Sequence, residues 1–96
     1  MKEKSYGLVE PKNFSDNIPI ELFSGDFLNH YELVYETYGK LNKNKNNAIL
    51  ICHALNASHH AAGYYESEGK KNYGWWDNLI GPNKPVDTNK FFVISI

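Results

Sequence analysis

The amino-acid sequence predicts an α/β fold in which an antiparallel hairpin leads into a mostly parallel sheet. Segments 20–24 and 30–38 alternate apolar and polar residues around a short turn, which is typical of antiparallel strands with one solvated face. Segments 48–52 and 91–96 are almost continuously apolar, as expected of strands covered on both faces of a parallel sheet. The stretch between these two apolar runs is long enough for a crossover connection.

The chain is predicted to divide into a leader and one α/β portion. Residues 1–19 are expected to be an extended leader, because Pro11 and Pro19 enclose a run of turn-forming polar residues. Residues 20–96 are expected to form the α/β portion.

The hairpin is predicted from two strands and the turn between them. The first strand, 20–24, ends at the turn signal Ser24-Gly25-Asp26, and the second strand, 30–38, returns beside it. The Asn- and Lys-rich segment 41–47 that follows is predicted to be a solvated loop.

The crossover is predicted to contain a helix at 75–80, because Gly74 precedes this segment and Gly81-Pro82 stops it. The last apolar run ends at Ile96 without a turn or a polar tail. A strand of this type is unfavourable as an exposed sheet edge. The chain is therefore expected to be an incomplete portion of a longer domain.

Composition excludes several classes of protein. The 96 residues are 42% apolar and 15% aromatic, which predicts a packed core rather than disorder. All ten positive charges are lysines and the net charge is −1, so nucleic-acid binding is not expected. Cys52 is the single cysteine, which favours a reducing compartment. No signal-like or membrane-length apolar run is present, so a cytoplasmic protein that does not bind membranes is expected.

The segment 52–63 is the candidate functional loop because it follows a buried strand whose carboxyl end opens toward solvent. It is rich in small residues, which let the backbone approach a ligand closely. An exposed N–H group in such a loop can stabilise developing negative charge. The residues alone therefore indicate an anion-facing turn without specifying a reaction.

The histidines of this loop raise the alternative of a metal site. His53, His59 and His60 together with Cys52 do not have a recognised zinc spacing, so no metal is predicted. We expect His53 to brace the loop from the strand end. Cys52 is expected to be a small buried apolar residue rather than a nucleophile.

Four blocks of sequence carry a resemblance to a known family. They are Tyr-Glu-Thr-Tyr-Gly at 35–39, Cys-His-Ala-Leu at 52–55, His-Ala-Ala-Gly at 60–63 and Gly-Trp-Trp-Asp-Asn-Leu-Ile-Gly-Pro at 74–82. In this order they resemble the homoserine O-acetyltransferases of the α/β-hydrolase fold. Segments 7–11 and 87–96 are similar too, so the resemblance covers nearly the whole chain. It implies the N-terminal part of an α/β-hydrolase fold.

The resemblance implies transfer of an acetyl group from acetyl-CoA to the hydroxyl of L-homoserine in methionine biosynthesis. The family works through an acyl-serine, with a histidine base oriented by an aspartate. It needs no cofactor beyond the acetyl-CoA co-substrate, and the full-length enzyme is expected to be a homodimer. The Gly-x-Ser-x-Gly elbow that holds the family's nucleophile is absent from this sequence. The 96 residues alone are therefore expected to be inactive.

The resemblance also implies site residues. The backbone N–H of Leu55 matches the family's first oxyanion donor, and Asn56 and Ala57 are expected to line the substrate site. Many members have a Thr-Gly or Ser-Gly pair where Asn56-Ala57 stands, and alanine adopts positive φ less readily than glycine. Either this loop avoids positive φ, or the donor is placed differently.

Several alternatives stay open at the level of sequence. The acyl donor is either acetyl-CoA or succinyl-CoA. The second enzyme hypothesis is a serine O-acyltransferase or an ester hydrolase of the same fold. The non-enzymatic hypothesis is a short interaction module that pairs with another chain by strand addition.

Overall fold

The computed structural model describes residues 4–96, and residues 1–3 of the predicted leader lie outside this range. Ten short strands follow one another along the described chain: β1 Lys12–Asp16, β2 Ile20–Glu21, β3 Phe27–Leu28, β4 Tyr31–Tyr38, β5 Ala48–Ile51, β6 Tyr64–Ser67, β7 Lys70–Tyr73, β8 Ile80–Gly81, β9 Val86–Asp87 and β10 Phe92–Ser95.

The main sheet has four strands in the order β1-β4-β10-β5. Strand β4 is antiparallel to both β1 and β10, whereas β5 and β10 are parallel. The remaining strands form three two-stranded sheets, β2–β3, β6–β7 and β8–β9. The predicted strands at 30–38, 48–52 and 91–96 are confirmed to within one residue at each end. An antiparallel start therefore does lead into a parallel pair.

The strand that pairs with β4 is not the one that was predicted. Strand β4 pairs with β1, from Lys12 opposite Tyr35 to Asp16 opposite Tyr31, so the predicted leader 1–19 supplies a strand of the sheet. The prolines did not prevent this, because they flank β1 and because β1 lies at the edge, where the sheet tolerates proline.

The segment 20–24 instead forms a small separate hairpin. Strand β2 pairs with β3, with Ile20 opposite Leu28. The turn between them is tight, because the N–H of Leu22 donates to the carbonyl of Asp26 at 2.7 Å. This turn brings residues 27–28 into register with β2 before the chain reaches β4.

The predicted helix at 75–80 is wrong. The N–H groups of Trp75 and Trp76 donate to the carbonyls of His60 and Ala61, at 3.1 and 2.7 Å. These bonds fix the start of the segment against the preceding loop, and its last residue already begins β8. Only one turn is therefore left between the two constraints.

The part of the chain that the structure describes contains no helix long and apolar enough to cross a membrane.

The core lies on one face of the main sheet. Val93 stands opposite Tyr38 and Ser95 opposite Glu36, so these four side chains share that face, and all four are fully buried. The segment between β5 and β10 covers them. The hydrophobic core consists of Val9, Tyr38, Ile51, Ala61, Ala62, Ile80 and Val93.

The opposite face of the sheet is open among the described residues. Leu50 of β5 is 58% exposed there, so the expectation that 48–52 is covered on both faces is not met within residues 4–96. The physical reason is that the crossover segment 60–88 packs on one face alone.

Candidate functional site

The loop 52–63 presents a tight turn at the carboxyl end of β5. The N–H of Ala57 donates to the carbonyl of Ala54 at 2.9 Å, which places Leu55 and Asn56 at the two central positions of a β-turn. The Leu55 side chain is fully exposed. Its N–H meets no acceptor in residues 4–96. The predicted oxyanion donor is therefore a free, solvent-facing N–H group at the tip of the loop.

The backbone of this turn settles one of the alternatives. The non-glycine residues with positive φ are Lys45, Glu68 and Asn83, so Asn56 and Ala57 are not among them. The loop thus avoids positive φ at the two positions where alanine or asparagine would make it costly. The sequence difference from the family is compatible with an unstrained turn.

The three predicted site residues lie together, but without a partner group. Asn56 is exposed and Ala57 is half-buried beside Leu55. Among the described contacts, the His53 ring reaches only the Ala54 carbonyl at the start of this turn, and no serine hydroxyl or carboxylate reaches the turn. The turn can donate a hydrogen bond to an anion, and it holds no general base or nucleophile of its own.

Two expectations at the start of the loop need correction. Cys52 is exposed rather than buried, because it follows the buried Ile51 and therefore points toward the open side of the sheet. His53, which was expected to brace the loop from the strand end, reaches no further than the next residue. Its Nδ1 atom contacts the carbonyl oxygen of the adjacent Ala54 at 2.6 Å, which is a local contact.

The brace is instead a buried carboxylate, Glu36, on β4. Its Oε1 atom accepts hydrogen bonds from the Tyr38 hydroxyl at 2.8 Å and from His60 Nδ1 at 3.1 Å. Its Oε2 atom accepts a hydrogen bond from the Tyr65 hydroxyl, and His59 Nε2 lies 3.8 Å away. Glu36 is fully buried. Burial of a charge is costly unless it is paired and hydrogen-bonded, and these donors meet that requirement.

His60 connects this carboxylate to the β6–β7 hairpin. Its Nε2 atom lies 2.8 Å from the carbonyl oxygen of Asn72, and a carbonyl oxygen only accepts, so Nε2 carries a proton. Its Nδ1 atom faces Glu36, so these two groups share one further proton between them. The Tyr65 ring stacks on the His60 ring at 3.8 Å with an interplanar angle of 11°. His60 is therefore fixed in position and in orientation.

Tyr38 connects the same carboxylate to the loop backbone. Its hydroxyl oxygen accepts the N–H groups of Ala61 and Ala62 at 3.0 and 3.1 Å. Burial raises the pKa of Tyr38; the loop N–H groups lower this pKa and Glu36 raises it further. Burial is also the main cause that raises the pKa of Tyr65, and the neighbouring Glu36 raises this pKa further. Both hydroxyls therefore stay protonated at neutral pH and donate to the carboxylate.

A second contact fixes the end of the loop. The Asp77 Oδ1 atom accepts the N–H of Gly63 at 2.8 Å and the hydroxyl of Ser5 at 2.9 Å. Gly63 has a φ of +70°, and a Cβ atom there would lie 2.6 Å from the carbonyl oxygen of Gly7. Only glycine fits this close approach, so the block 60–63 is held in place from two sides.

Sequence reasoning did not identify the Glu36 network. Glu36 belongs to a strand that was predicted to have one solvated face, yet the residue is fully buried. The usable signal was the combination of Glu36 and Tyr38 on one face of a strand with the histidine pair in the candidate loop. Two of the four resembling blocks, 35–39 and 60–63, meet in this network.

A cavity of about 590 Å³ lies away from the candidate loop. Its lining includes Gly39, Asn47 and Lys90, which lie just after β4 and just before β5 and β10. It therefore opens at the amino ends of the parallel strands, opposite to the turn at Leu55. Its position does not suit a role in chemistry at that turn.

Comparison with known proteins supports the fold and the sequence resemblance. No family model matches the chain. The chain is 55% identical over 93 residues to the homoserine O-succinyltransferase of Paraburkholderia phymatum and 59% identical over 92 residues to that of Cellvibrio japonicus. These matches cover 97% and 96% of this chain and 24% of each relative. The chain thus spans about a quarter of the length of these relatives.

Solved structures give the same result. The chain matches the crystal structure of esterase E22 with a TM-score of 0.82 and the homoserine O-acetyltransferase from Bacillus anthracis with a TM-score of 0.80. Both are 41% identical to it, and each match covers 92% of this chain and 23% of the solved chain. The described residues therefore form part of an α/β-hydrolase fold, and the chain is similar over nearly its whole length to homoserine O-acyltransferases.

Proposed function

We propose that this chain is part of a homoserine O-acyltransferase of methionine biosynthesis and that it supplies half of the oxyanion hole. The observation that carries this proposal is the free N–H of Leu55 on an exposed turn at the carboxyl end of β5. The high identity to relatives named homoserine O-succinyltransferase supports it. Because those relatives are about four times longer, the remaining catalytic groups belong to sequence outside these 96 residues.

The chemistry is acyl transfer in two steps. A serine outside this chain attacks the thioester carbonyl of acyl-CoA, the C–S bond breaks, and coenzyme A leaves as the protonated thiol. The hydroxyl of L-homoserine then attacks the acyl-serine, and the serine regains its proton through the histidine base. Each step passes through a tetrahedral oxyanion. The Leu55 N–H stabilises that oxyanion together with a second donor, and one such donor contributes about 3 kcal/mol.

We propose succinyl-CoA as the acyl donor, with acetyl-CoA as the second candidate. The resemblance in sequence suggested acetyl-CoA, and the solved homoserine O-acetyltransferase is 41% identical. The relatives named homoserine O-succinyltransferase are 55% and 59% identical, and this higher identity favours succinyl-CoA. We expect no further cofactor and a cytoplasmic homodimer for the complete enzyme.

The similarity to esterase E22 makes ester or thioester hydrolysis the second candidate function. The complete enzyme is incubated with succinyl-CoA or acetyl-CoA, with L-homoserine, L-serine or no acceptor, and the products are identified by mass spectrometry. We expect O-acylhomoserine to form faster than the free acid in the presence of L-homoserine. Formation of the free acid alone, with no acylated amino acid, would refute the transferase proposal in favour of a hydrolase.

A further inference from the structure

The end of the candidate loop is bonded to strand β4 through the Tyr38 hydroxyl and through the contact of His60 with Glu36. The Tyr38 oxygen accepts the N–H of Ala62 at 3.1 Å and that of Ala61 at 3.0 Å. The Ala61 N–H also contacts the carbonyl oxygen of His59 at 2.9 Å. Both alanines are fully buried, so water cannot replace Tyr38 as their acceptor. Without this hydroxyl, the Ala62 N–H loses the acceptor that the structure gives it.

Glu36 determines how this hydroxyl points. A tyrosine hydroxyl has one hydrogen and can accept two hydrogen bonds. The bond to the Glu36 carboxylate at 2.8 Å is shorter than the 3.3 Å contact with the carbonyl of His59, and bonds to a charged acceptor are stronger. With its hydrogen directed at Glu36, the Tyr38 oxygen presents its lone pairs to the loop. Glu36 is itself held by His60 and Tyr65.

We propose that Tyr38 is a positioning residue for the Leu55 turn and that Glu36 sets the orientation of its hydroxyl. The proposal rests on the proposed oxyanion role of Leu55. Besides its chain connection to β5 at Ile51, the loop is held by the Trp75 indole at the Ser58 carbonyl, at 2.8 Å, and by the contact of His60 with Glu36. Tyr38 is the side chain that binds its backbone N–H groups at residues 61–62. Loss of the Tyr38 hydroxyl leaves the buried N–H of Ala62 without its acceptor, so the backbone at residues 61–62 shifts, and the donor N–H of Leu55 in the same loop is displaced from the position that the oxyanion occupies.

The chain offers a matched pair of variants for a test. Tyr38→Phe and Tyr65→Phe each remove one hydroxyl that donates to Glu36, and only the Tyr38 hydroxyl also binds the loop backbone. In the complete enzyme we expect Tyr38→Phe to lower kcat about 10- to 100-fold, because small displacements of a catalytic group have effects of that size. Tyr65→Phe is expected to stay within about threefold of wild type, since it leaves the turn attached. Both variants are expected to lower the Tm.

The comparison of kcat with KM separates positioning from a structural role. Displacement of an oxyanion donor lowers kcat and leaves the KM for acyl-CoA nearly unchanged, because that donor acts mainly in the transition state. Equal losses of kcat in the two variants, or no loss in a folded Tyr38→Phe enzyme, would overturn the proposal. If the wild-type enzyme hydrolyses acyl-CoA without acylating homoserine, the same two variants are compared in hydrolysis. The proposed function then fails while the positioning role is still tested.

Hydrogen exchange of the wild-type enzyme provides a test that does not depend on a folded variant. We expect the amide hydrogens of Ala61 and Ala62 to be protected like those of β4 and β10, and the amide hydrogen of Leu55 to exchange rapidly. Rapid exchange at Ala62 in the native enzyme would show that the attachment to Tyr38 does not exist, and the proposal would be rejected.

Discussion

Replacement of Leu55 by proline removes the proposed oxyanion donor and changes little else. Leu55 occupies the first central position of a β-turn closed by the Ala57 N–H and the Ala54 carbonyl, and proline is favoured at this position. The Leu55 N–H makes no hydrogen bond within residues 4–96, so its loss leaves no intramolecular acceptor unpaired. The side chain is 102% exposed among the described residues, so no packing within residues 4–96 is lost.

The expected magnitudes follow from these facts. Removal of one oxyanion donor lowers kcat by about 100- to 1,000-fold, which corresponds to about 3 to 4 kcal/mol of transition-state stabilisation. A proline that fits the native turn restricts the unfolded chain and raises the free energy of unfolding by about 0.4–1 kcal/mol. Leu55→Pro is therefore expected to be much less active and no less stable than wild type.

The assay is steady-state formation of O-acylhomoserine by the complete enzyme, together with thermal unfolding of each variant. Leu55→Ala is the matched control, because it shortens the same exposed side chain and keeps the N–H. We expect Leu55→Ala to keep kcat within about threefold of wild type, since single surface substitutions have small effects. A folded Leu55→Pro enzyme with the kcat of Leu55→Ala would refute the assignment of this N–H as a donor.

Two further predictions concern the buried network. Glu36→Ala leaves the donors of Tyr38, His60 and Tyr65 without their shared acceptor and is expected to lower the free energy of unfolding by about 3–5 kcal/mol in denaturant titrations. Glu32→Ala on the same strand, where the side chain is 75% exposed, is expected to change the free energy of unfolding by less than about 0.5 kcal/mol. Equal losses in the two variants would contradict the burial argument. Because the pKa of Tyr38 and that of Tyr65 are raised above the ordinary value of 10.0, the unfolded chain loses these protons first, so their stabilising contribution is complete below pH 10 and declines as the pH rises above it. Ultraviolet titration should show one late-titrating tyrosine fewer in Tyr38→Phe than in the wild type, and likewise in Tyr65→Phe; the same late-titrating absorbance in wild type and variants would contradict this.

The strands β4, β5 and β10 could be predicted because each has a pattern that extends over several residues. Alternation in 30–38 and continuous apolar runs in 48–52 and 91–96 are local properties of the sequence. The partner of β4 could not be predicted in the same way. Its pairing with β1 joins residues on either side of the β2–β3 hairpin, and the hairpin rule considers only the nearest strand. The tight turn after β2 decided the pairing.

The helix expected at 75–80 failed for a related reason. The flanking glycine and proline residues are valid stop signals, but the Trp76 carbonyl accepts the N–H groups of Leu79 and Ile80 in a single turn that ends at β8, and the N–H groups of Trp75 and Trp76 donate to carbonyls of the candidate loop. These contacts join residues about fifteen positions apart, and they are set by how the loop folds. Tertiary contacts thus replaced a local preference of only a few residues.

The candidate site separates into a part that sequence could predict and a part that it could not. The Leu55 turn was predicted from its place after β5 and from family resemblance, and neither depends on a distant contact. Glu36 was hidden because a glutamate in an alternating strand usually faces water, and its burial depends on His60 and Tyr65, which lie 24 and 29 residues away. The two parts have opposite requirements. A donor for a transition state must stay unpaired in the free enzyme, whereas the groups that hold it must be fully paired. The free N–H at Leu55 and the fully bonded carboxylate of Glu36 on β4 meet these two requirements. Leu55→Pro should therefore lower turnover without unfolding the enzyme, whereas removal of Glu36 should change both turnover and stability.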